Sequence, residues 1–227
     1  METSGRRRWH VVLVGPPGAG KGTQAARLAA ERGLCRISTG DLLRAAAEAG
    51  TELGRSAEAR MARGELVPDD EILDLVRDEL ARPGCRSGAV YDGFPRSVAQ
   101  AEGLGRILEE QGEKVDRVLE IEVPEAEVLR RLAGRRVCKN CGKMYHLSFA
   151  PSQEEGRCDA CGGELVQRPD DRPETVQRRL AVYRQTTEPV LAIYAESPGV
   201  TAIPGDRPVE EVAASIRRRL ATVGSDA

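Results

Sequence analysis

The chain has 227 residues, enough for one well-packed α/β domain with room for a small insertion. A formal net charge of -2 with only 3% aromatic residues excludes a general binder of nucleic acid or of membrane surfaces, which needs a net basic face. The apolar runs, such as Val11 to Val14, are too short to span a bilayer or to form a signal segment, so the chain reads as soluble and cytoplasmic, without nucleic-acid or membrane partners.

The first element is an apolar strand, His10 to Val14, which runs into "GPPGAGKGT" and then into a helical stretch closed by Gly33. Further strands are predicted at Cys35 to Ile37, Ala89 to Tyr91, Val118 to Val123 and Val200 to Ile203, separated by amphipathic stretches too long for hairpins. Strands alternating with helices imply a parallel sheet covered on both faces. Between the second and third strands lies an extra polar helical segment, with Gly50 and Gly64 as helix ends. The pattern breaks between Gly134 and Asp171, where Gly, Cys and polar residues dominate. These two stretches read as candidate mobile insertions. A long helix is predicted from Pro173, kinked at Pro189. The terminal stretches "METSGRRR" and "GSDA" read as disordered tails.

The loop Gly15 to Thr23 carries the first chemistry. In Gly-x-x-x-x-Gly-Lys, the glycines let successive backbone N–H groups turn onto an anion, and the following helix presents its positive end. Lys21 adds a point charge for the terminal phosphates. It is informative because only Lys21, Lys114, Lys139 and Lys143 are lysine in a chain that otherwise uses arginine. A plain Gly/Pro turn is the competing reading, against which the flanking strand and helix speak. Gly22 stands where a Ser or Thr usually holds magnesium, so the metal must sit on phosphate oxygens and waters, with a nearby carboxylate orienting the waters.

Four stretches in order, "GPPGAGKGTQA", "ISTGDLLR", "YDGFPRSVAQ" and "GRRVC", resemble bacterial adenylate kinase of the long form with a zinc-bearing lid, from about His10 to Leu220. The resemblance implies a three-layer P-loop fold with a five-stranded parallel sheet. The core would comprise 1–37, 68–133 and 172–227, with a monophosphate-binding helical insertion at 38–67 and a lid at 134–171. It implies a monomeric enzyme of nucleotide salvage and energy balance that moves a phosphoryl group from Mg-ATP to AMP, giving two ADP. Asp92 becomes the carboxylate that orients the metal's waters, although a turn cap before Gly93 is the bland alternative.

Transfer between two nucleotides concentrates negative charge where their phosphate chains meet, and arginine forks suit that charge. Most arginines of so Arg-rich a chain are solvated faces. Motif position singles out Arg44, Arg96, Arg168 and Arg179 on the monophosphate and transfer side and Arg135 on the ATP side. With Lys21 and Asp92, Arg96, Arg135, Arg168 and Arg179 form the expected catalytic set. By resemblance the ATP site includes Gly18, Ala19, Gly20, Lys21, Gly22, Thr23, Arg131 against the adenine, Arg135, Met144, Tyr145 and Arg207. The AMP site includes Thr39, Arg44, Glu65, Leu66, Val67, Gly93, Phe94, Pro95, Arg96, Gln100, Arg168 and Arg179. The Gln100 amide offers a donor and an acceptor to a base edge. Asp170 and Asp171 stand where the second insertion returns to the core.

Cys138, Cys141, Cys158 and Cys161 form two Cys-x-x-Cys pairs separated by sixteen residues, a spacing suited to a tetrahedral zinc site. Disulfide-forming pairs and a redox Cys-x-x-Cys are the alternatives. Four thiolates close the metal's shell, so zinc would be structural in a segment too poor in apolar residues to fold on a core of its own. His146 reads as a surface residue, and Cys35 and Cys85 as unpaired small core residues. Two rival functions remain: a kinase of UMP, CMP or GMP, and a zinc-ribbon nucleic-acid-binding protein with an incidental glycine loop, which the acidic charge and scarce aromatics disfavour.

Overall fold

The computed structural model describes residues 8–221. Strand β1 (Trp9–Val14) is followed by α1 (Lys21–Arg32), β2 (Cys35–Ser38), α2 (Thr39–Glu48), α3 (Glu52–Ala62) and α4 (Asp69–Leu80). A 3₁₀ turn at Pro83–Cys85 leads to β3 (Gly88–Asp92), α5 (Val98–Glu109), β4 (Arg117–Glu122) and α6 (Glu125–Gly134). The second insertion contains β5 (Arg135–Cys138), β6 (Met144–His146) and β7 (Leu165–Val166). After a 3₁₀ turn at Pro169–Asp171 come α7 (Pro173–Val182), α8 (Val190–Tyr194), β8 (Val200–Pro204) and α9 (Val209–Ala221).

The five core strands pair in parallel in the order β2-β3-β1-β4-β8, as the alternation of strands and helices implies. Side chains alternate between the two faces of a strand, and β1 shows the consequence directly. Val12 and Val14 join the core under α4, α5 and α8, with Ile37, Tyr91 and Leu104, whereas Val11 and Leu13 pack on α1 and α9 with Leu28, Leu119 and Ile216. Both faces are therefore covered, and chemistry is left to the carboxyl ends of the strands. The register sets Leu13 beside Asp92 and Ser38 beside Asp92, so the glycine loop, the first insertion and the Asp92 carboxylate leave the sheet as neighbours.

The stretch after Gly134, where the helical pattern breaks as read, folds as a small antiparallel sheet, β6-β5-β7. Two features differ from the sequence reading. The long helix breaks before Pro189, not at it. Residues Tyr183–Thr187 form a π turn in which the Glu188 N–H reaches Tyr183 O at 2.9 Å, a wider winding that accommodates a proline unable to donate. Arg8, assigned to a tail, is anchored. Its guanidinium donates to Gln111 at 2.7 Å and to Cys85 O at 3.0 Å. The remainder of "METSGRRR" and the stretch "GSDA" lie outside the described residues.

The larger correction concerns Cys35 and Cys85, which are joined in a disulfide with Cα atoms 4.9 Å apart. Cys85 is a buried core residue as read, but the turn before β3 brings it to the start of β2. Fifty residues apart in sequence, the pair gave no spacing signal. The bond closes a loop that contains the whole first insertion and α4, and closing a loop of that size removes about 4 kcal/mol of unfolded-chain entropy. Cys35→Ser, at the less buried partner, is expected to lower the melting temperature by about 10 °C. Calorimetry of the variant beside wild type checks this, and identical melting curves would show that the bond contributes nothing in solution.

Candidate active site

The glycine loop leaves β1 and wraps the N-terminus of α1. Gly20, the residue before that helix, holds φ at 93°, a left-handed conformation open to glycine. Lys21 follows as the first helical residue, and its Nζ donates back to the carbonyls of Gly15 and Pro16 at 2.7 and 2.8 Å, which fixes the ammonium in the mouth of the loop. Ala19 is buried, while Gly18, Gly22 and Thr23 are half-buried. Gly22 has a packing reason to lack a side chain. A Cβ there would lie 3.1 Å from Asp92 Oδ2 and 3.5 Å from Arg36 Nη2, so a hydroxyl-bearing residue would press on the carboxylate.

Around this loop the fold gathers cations from distant parts of the chain. Arg96 Nε donates to Gly93 O at 2.6 Å, just beyond β3. Arg135, the first residue of β5, pairs with Asp171, which also receives Arg179 of α7 at 3.2 Å. Asp170 accepts from the same Arg179 at 2.9 Å. Arg168 places Nη2 3.8 Å from Met144 Sδ, and its Nε is buried without a partner. Arg44 pairs with Asp41 on α2.

Electrostatics tie these groups into one cluster. Burial drives the Lys21 ammonium down to about 7; Asp92 opposes the fall, and Arg96, Arg179 and Arg135 deepen it. Arg96 falls to about 10 by burial and the charge of Arg179, and Arg168 to about 10 by burial and the charges of Arg44 and Arg135. Burial alone would raise the Asp170 carboxyl, but Arg179, Arg135, Arg168 and Arg44 hold it below the usual range. Six cations thus share a space with the three carboxylates Asp92, Asp170 and Asp171. Such an assembly favours a highly charged anion.

Beyond the end of β3, Thr39 Oγ1 donates to Gly93 O at 2.9 Å and ties the start of α2 to that strand. Gln100 lies in the first turn of α5. Its Oε1 accepts from the Arg96 N–H and its Nε2 donates to Asp69, both at 2.7 Å. An amide has two N–H groups and two acceptor lone pairs, so these bonds leave one of each unused in a side chain that is itself buried. Glu65 is engaged with Arg63, Leu66 is half-buried, and the Val67 side chain belongs to the core. Phe94 is buried against Tyr91 and Pro95 is buried beside it, so both side chains pack the protein.

On the opposite side, Arg131 donates to Glu127 at 2.7 Å and to Gly205 O at 2.9 Å, close to exposed Arg207. Met144 is exposed, whereas the Tyr145 ring is buried and its hydroxyl accepts from the Asp159 N–H at 2.8 Å. His146 is more than a surface residue. It is half-buried over Gly134, where an added Cβ would fall 2.4 Å from its ring, and its ring lies tilted against Phe149 with centroids 4.3 Å apart.

Cys138, Cys141, Cys158 and Cys161 converge, with all four sulfurs within 4.8 Å of one another and the nearest pairs at 3.4 and 3.5 Å. A tetrahedron of thiolates around zinc has edges of about 3.8 Å, so the donor set fits such an ion. The hydrophobic cluster here comprises only Cys138, Tyr145 and Cys158, with Leu165 against it.

A model of the family described as adenylate kinase matches residues 13–198. The chain belongs to the adenylate kinase family. It is 50% identical to an adenylate kinase of Thermodesulfovibrio yellowstonii over 206 residues, 91% of this chain and 96% of that protein. It is also 48% identical to one of Archaeoglobus fulgidus, over 89% of this chain and 94% of that protein, and 49% identical to one of Carboxydothermus hydrogenoformans, over 92% and 98%.

Within this family member, sequence reasoning missed two residues of the site. Arg36 Nη2 donates to Asp92 at 2.8 Å and to Asp41 at 2.6 Å, and Asp41 in turn holds Arg44. In sequence, Arg36 is one arginine among many, and Asp41 is an ordinary acid in a first helical turn. A cleft of about 440 Å³ behind Pro16 does not belong to the cation cluster. It is lined by Glu120, Glu122, Glu188 and Asp206, whose charge repels phosphate.

Lys21 sets a pH signature. A phosphate chain beside the ammonium raises its proton affinity, so binding draws a proton onto any Lys21 that lacks one. With the free group at about 7, uptake through Lys21 is expected to be small at pH 6 and to approach one proton per nucleotide at pH 8. Titration calorimetry in buffers of different ionisation enthalpy measures it. Uptake that does not rise between pH 6 and 8, or that persists in Lys21→Met, would reject this account.

Proposed function

We infer that this chain transfers the terminal phosphoryl group of Mg-ATP reversibly to AMP, giving two ADP. The observation that carries this reading is the single cluster in which Lys21, on the glycine loop, shares its electrostatic surroundings with Arg96, Arg135 and Arg179. During transfer, the bond from the terminal phosphorus to the ADP oxygen breaks as one forms to an AMP phosphate oxygen. That acceptor is already anionic, so no proton needs removing. What remains for the protein is to bring two polyanions together and to neutralise the charge that builds up between them.

Lys21 and the loop amides hold the donor phosphates, Arg44 and Arg96 the AMP phosphate, and Arg135, Arg168 and Arg179 the group in transit. Magnesium arriving with the nucleotide would supply charge neutralisation along the phosphate chain. Asp92 is suited to orient those waters, since Oδ2 faces the loop position where the Gly22 side chain is missing. Thr39 and Gln100 are assigned to read adenine, with Glu65, Leu66, Val67 and Gly93 contributing backbone. On the ATP side Arg131 supports the adenine, and Met144, Tyr145 and Arg207 complete the pocket.

The reading extends to the two insertions. Residues 38–67 serve as the AMP-binding insertion, and residues 134–171 as a lid that excludes water, the competing acceptor. Cys138, Cys141, Cys158 and Cys161 would hold a structural zinc in that lid, since four thiolates would leave no open position and the small cluster around Tyr145 is a slight core for the segment. Donor and acceptor groups come from one chain, which supports a monomer. The nucleotide substrates support a cytoplasmic enzyme, and the net charge of -2 speaks against a nucleic-acid partner. Among the described residues no helix is long and apolar enough to cross a membrane.

The deciding assay offers ATP with AMP, UMP, CMP or GMP and measures nucleoside diphosphate formed. AMP is expected to be the preferred acceptor, and Lys21→Ala to lose about two to three orders of magnitude in kcat. Gln100→Ala is expected to erode the preference for AMP more than it weakens ATP binding, and unchanged acceptor selectivity would place base reading elsewhere. Preference for another monophosphate would reassign the acceptor site, and no transfer to any of them would reject the kinase reading.

The metal has its own test. Purified protein is expected to carry about one zinc per chain, and Cys158→Ser to melt at a lower temperature while still forming ADP in the cold. Metal analysis and a low-temperature assay check both. A folded Cys158→Ser protein without activity would assign the ion to the chemistry.

A further inference from the structure

Arg36 is absent from the roles assigned above, yet it occupies a telling position. It lies in β2, two residues before Ser38, which pairs with Asp92 in register. Residues two apart share a face of a strand, so the Arg36 side chain runs along the sheet to the Asp92 carboxylate. Its Nη2 bonds Asp92 Oδ2 at 2.8 Å. That oxygen is the one facing the missing side chain of Gly22, and Arg36 Nη2 itself stands 3.5 Å from where a Gly22 Cβ would be. Other phosphate loops present their metal-holding hydroxyl from this place.

We propose that Arg36 is a resident counter-cation of Asp92 that competes with the hydrated magnesium of the nucleotide for that carboxylate, making it a positioning residue that sets the metal dependence of nucleotide binding. The proposal rests on the reading of Asp92 as the carboxylate that orients the metal's waters. A water of the metal's shell needs the oxygen that the guanidinium holds, and a dication brought next to a guanidinium repels it. Mg-nucleotide binding therefore moves Arg36 off Asp92. A destination is already present: the same Nη2 bonds Asp41 Oδ2 at 2.6 Å, and Asp41 is the more exposed of the two carboxylates, at 44% of its side chain against 12% for Asp92. Asp41 eases the release of Asp92 because it keeps the displaced charge partnered.

The quantity to measure is the magnesium enhancement of ATP binding, the ratio of the ATP dissociation constant in EDTA to that in saturating magnesium. Calorimetry with ATP alone gives it without any turnover. Arg36→Gln is expected to raise the ratio about threefold to tenfold, the range open to a half-exposed, charge-assisted pair. Asp41→Asn is expected to lower it, since Arg36 then has Asp92 alone. Asp92→Asn is expected to reduce the ratio and to remove the effect of Arg36→Gln in the double variant. Thermal melting confirms that each variant is folded. A ratio unchanged or lowered by Arg36→Gln, with Asp92→Asn still lowering it, would overturn the counter-cation role and leave the Asp92 reading standing. A ratio unaffected by Asp92→Asn would instead remove the premise.

Discussion

Mutual repulsion among half-buried cations is the constraint on which the rest of this structure depends. Lys21, Arg44, Arg96, Arg135, Arg168 and Arg179 come from the glycine loop, both insertions and the core, and each feels others of the set. Water would separate such charges; the fold does not allow it. At Lys21, Arg96, Arg168 and Arg179 the strain registers as lowered proton affinity, most clearly at Lys21, whose ammonium falls to about 7 through burial first and neighbouring arginines after it. Asp92, Asp170 and Asp171 offset part of this repulsion. The balance is relieved by an anion of high charge, which is how a protein of net charge -2 can still grip polyphosphate.

Holding the cations in place falls to the sheet. With strands ordered β2-β3-β1-β4-β8, the ends of β1, β2 and β3 adjoin, and from them depart the loop, the first insertion and Asp92. Thr39 bonded to Gly93 O and Arg96 bonded to the same carbonyl join the acceptor side to the core at one atom. At the second insertion the arrangement is tighter still. Arg135 begins it, Asp171 ends it, and the two pair with each other and with Arg179 of α7. Members of the cation cluster therefore also tie both ends of that insertion to the core.

The outlying parts draw on cysteines where burial is insufficient. The second insertion has four converging sulfurs in place of a hydrophobic core. The Cys35–Cys85 bond closes the first insertion and α4 into one loop against the sheet.

Much of this was written locally. The loop from Gly15 to Thr23 announces itself because phosphate binding by backbone needs glycines at fixed spacing, and the paired cysteines because zinc needs four ligands. Strand and helix order follow from apolar periodicity, so the parallel sheet was legible, as were Gly50 and Gly64 closing α2 and α3. What the chain could not disclose depends on approach in space between residues far apart in sequence. Cys35 meets Cys85 only because a 3₁₀ turn returns the chain to the start of β2. The engagement of Gln100 with Asp69, the packing of the Tyr145 ring inward, and Arg36 lying across Asp92 and Asp41 are decided the same way. A motif fixes which groups are available; which of them pair is settled by competition among partners, and only the folded chain brings those partners within range of one another.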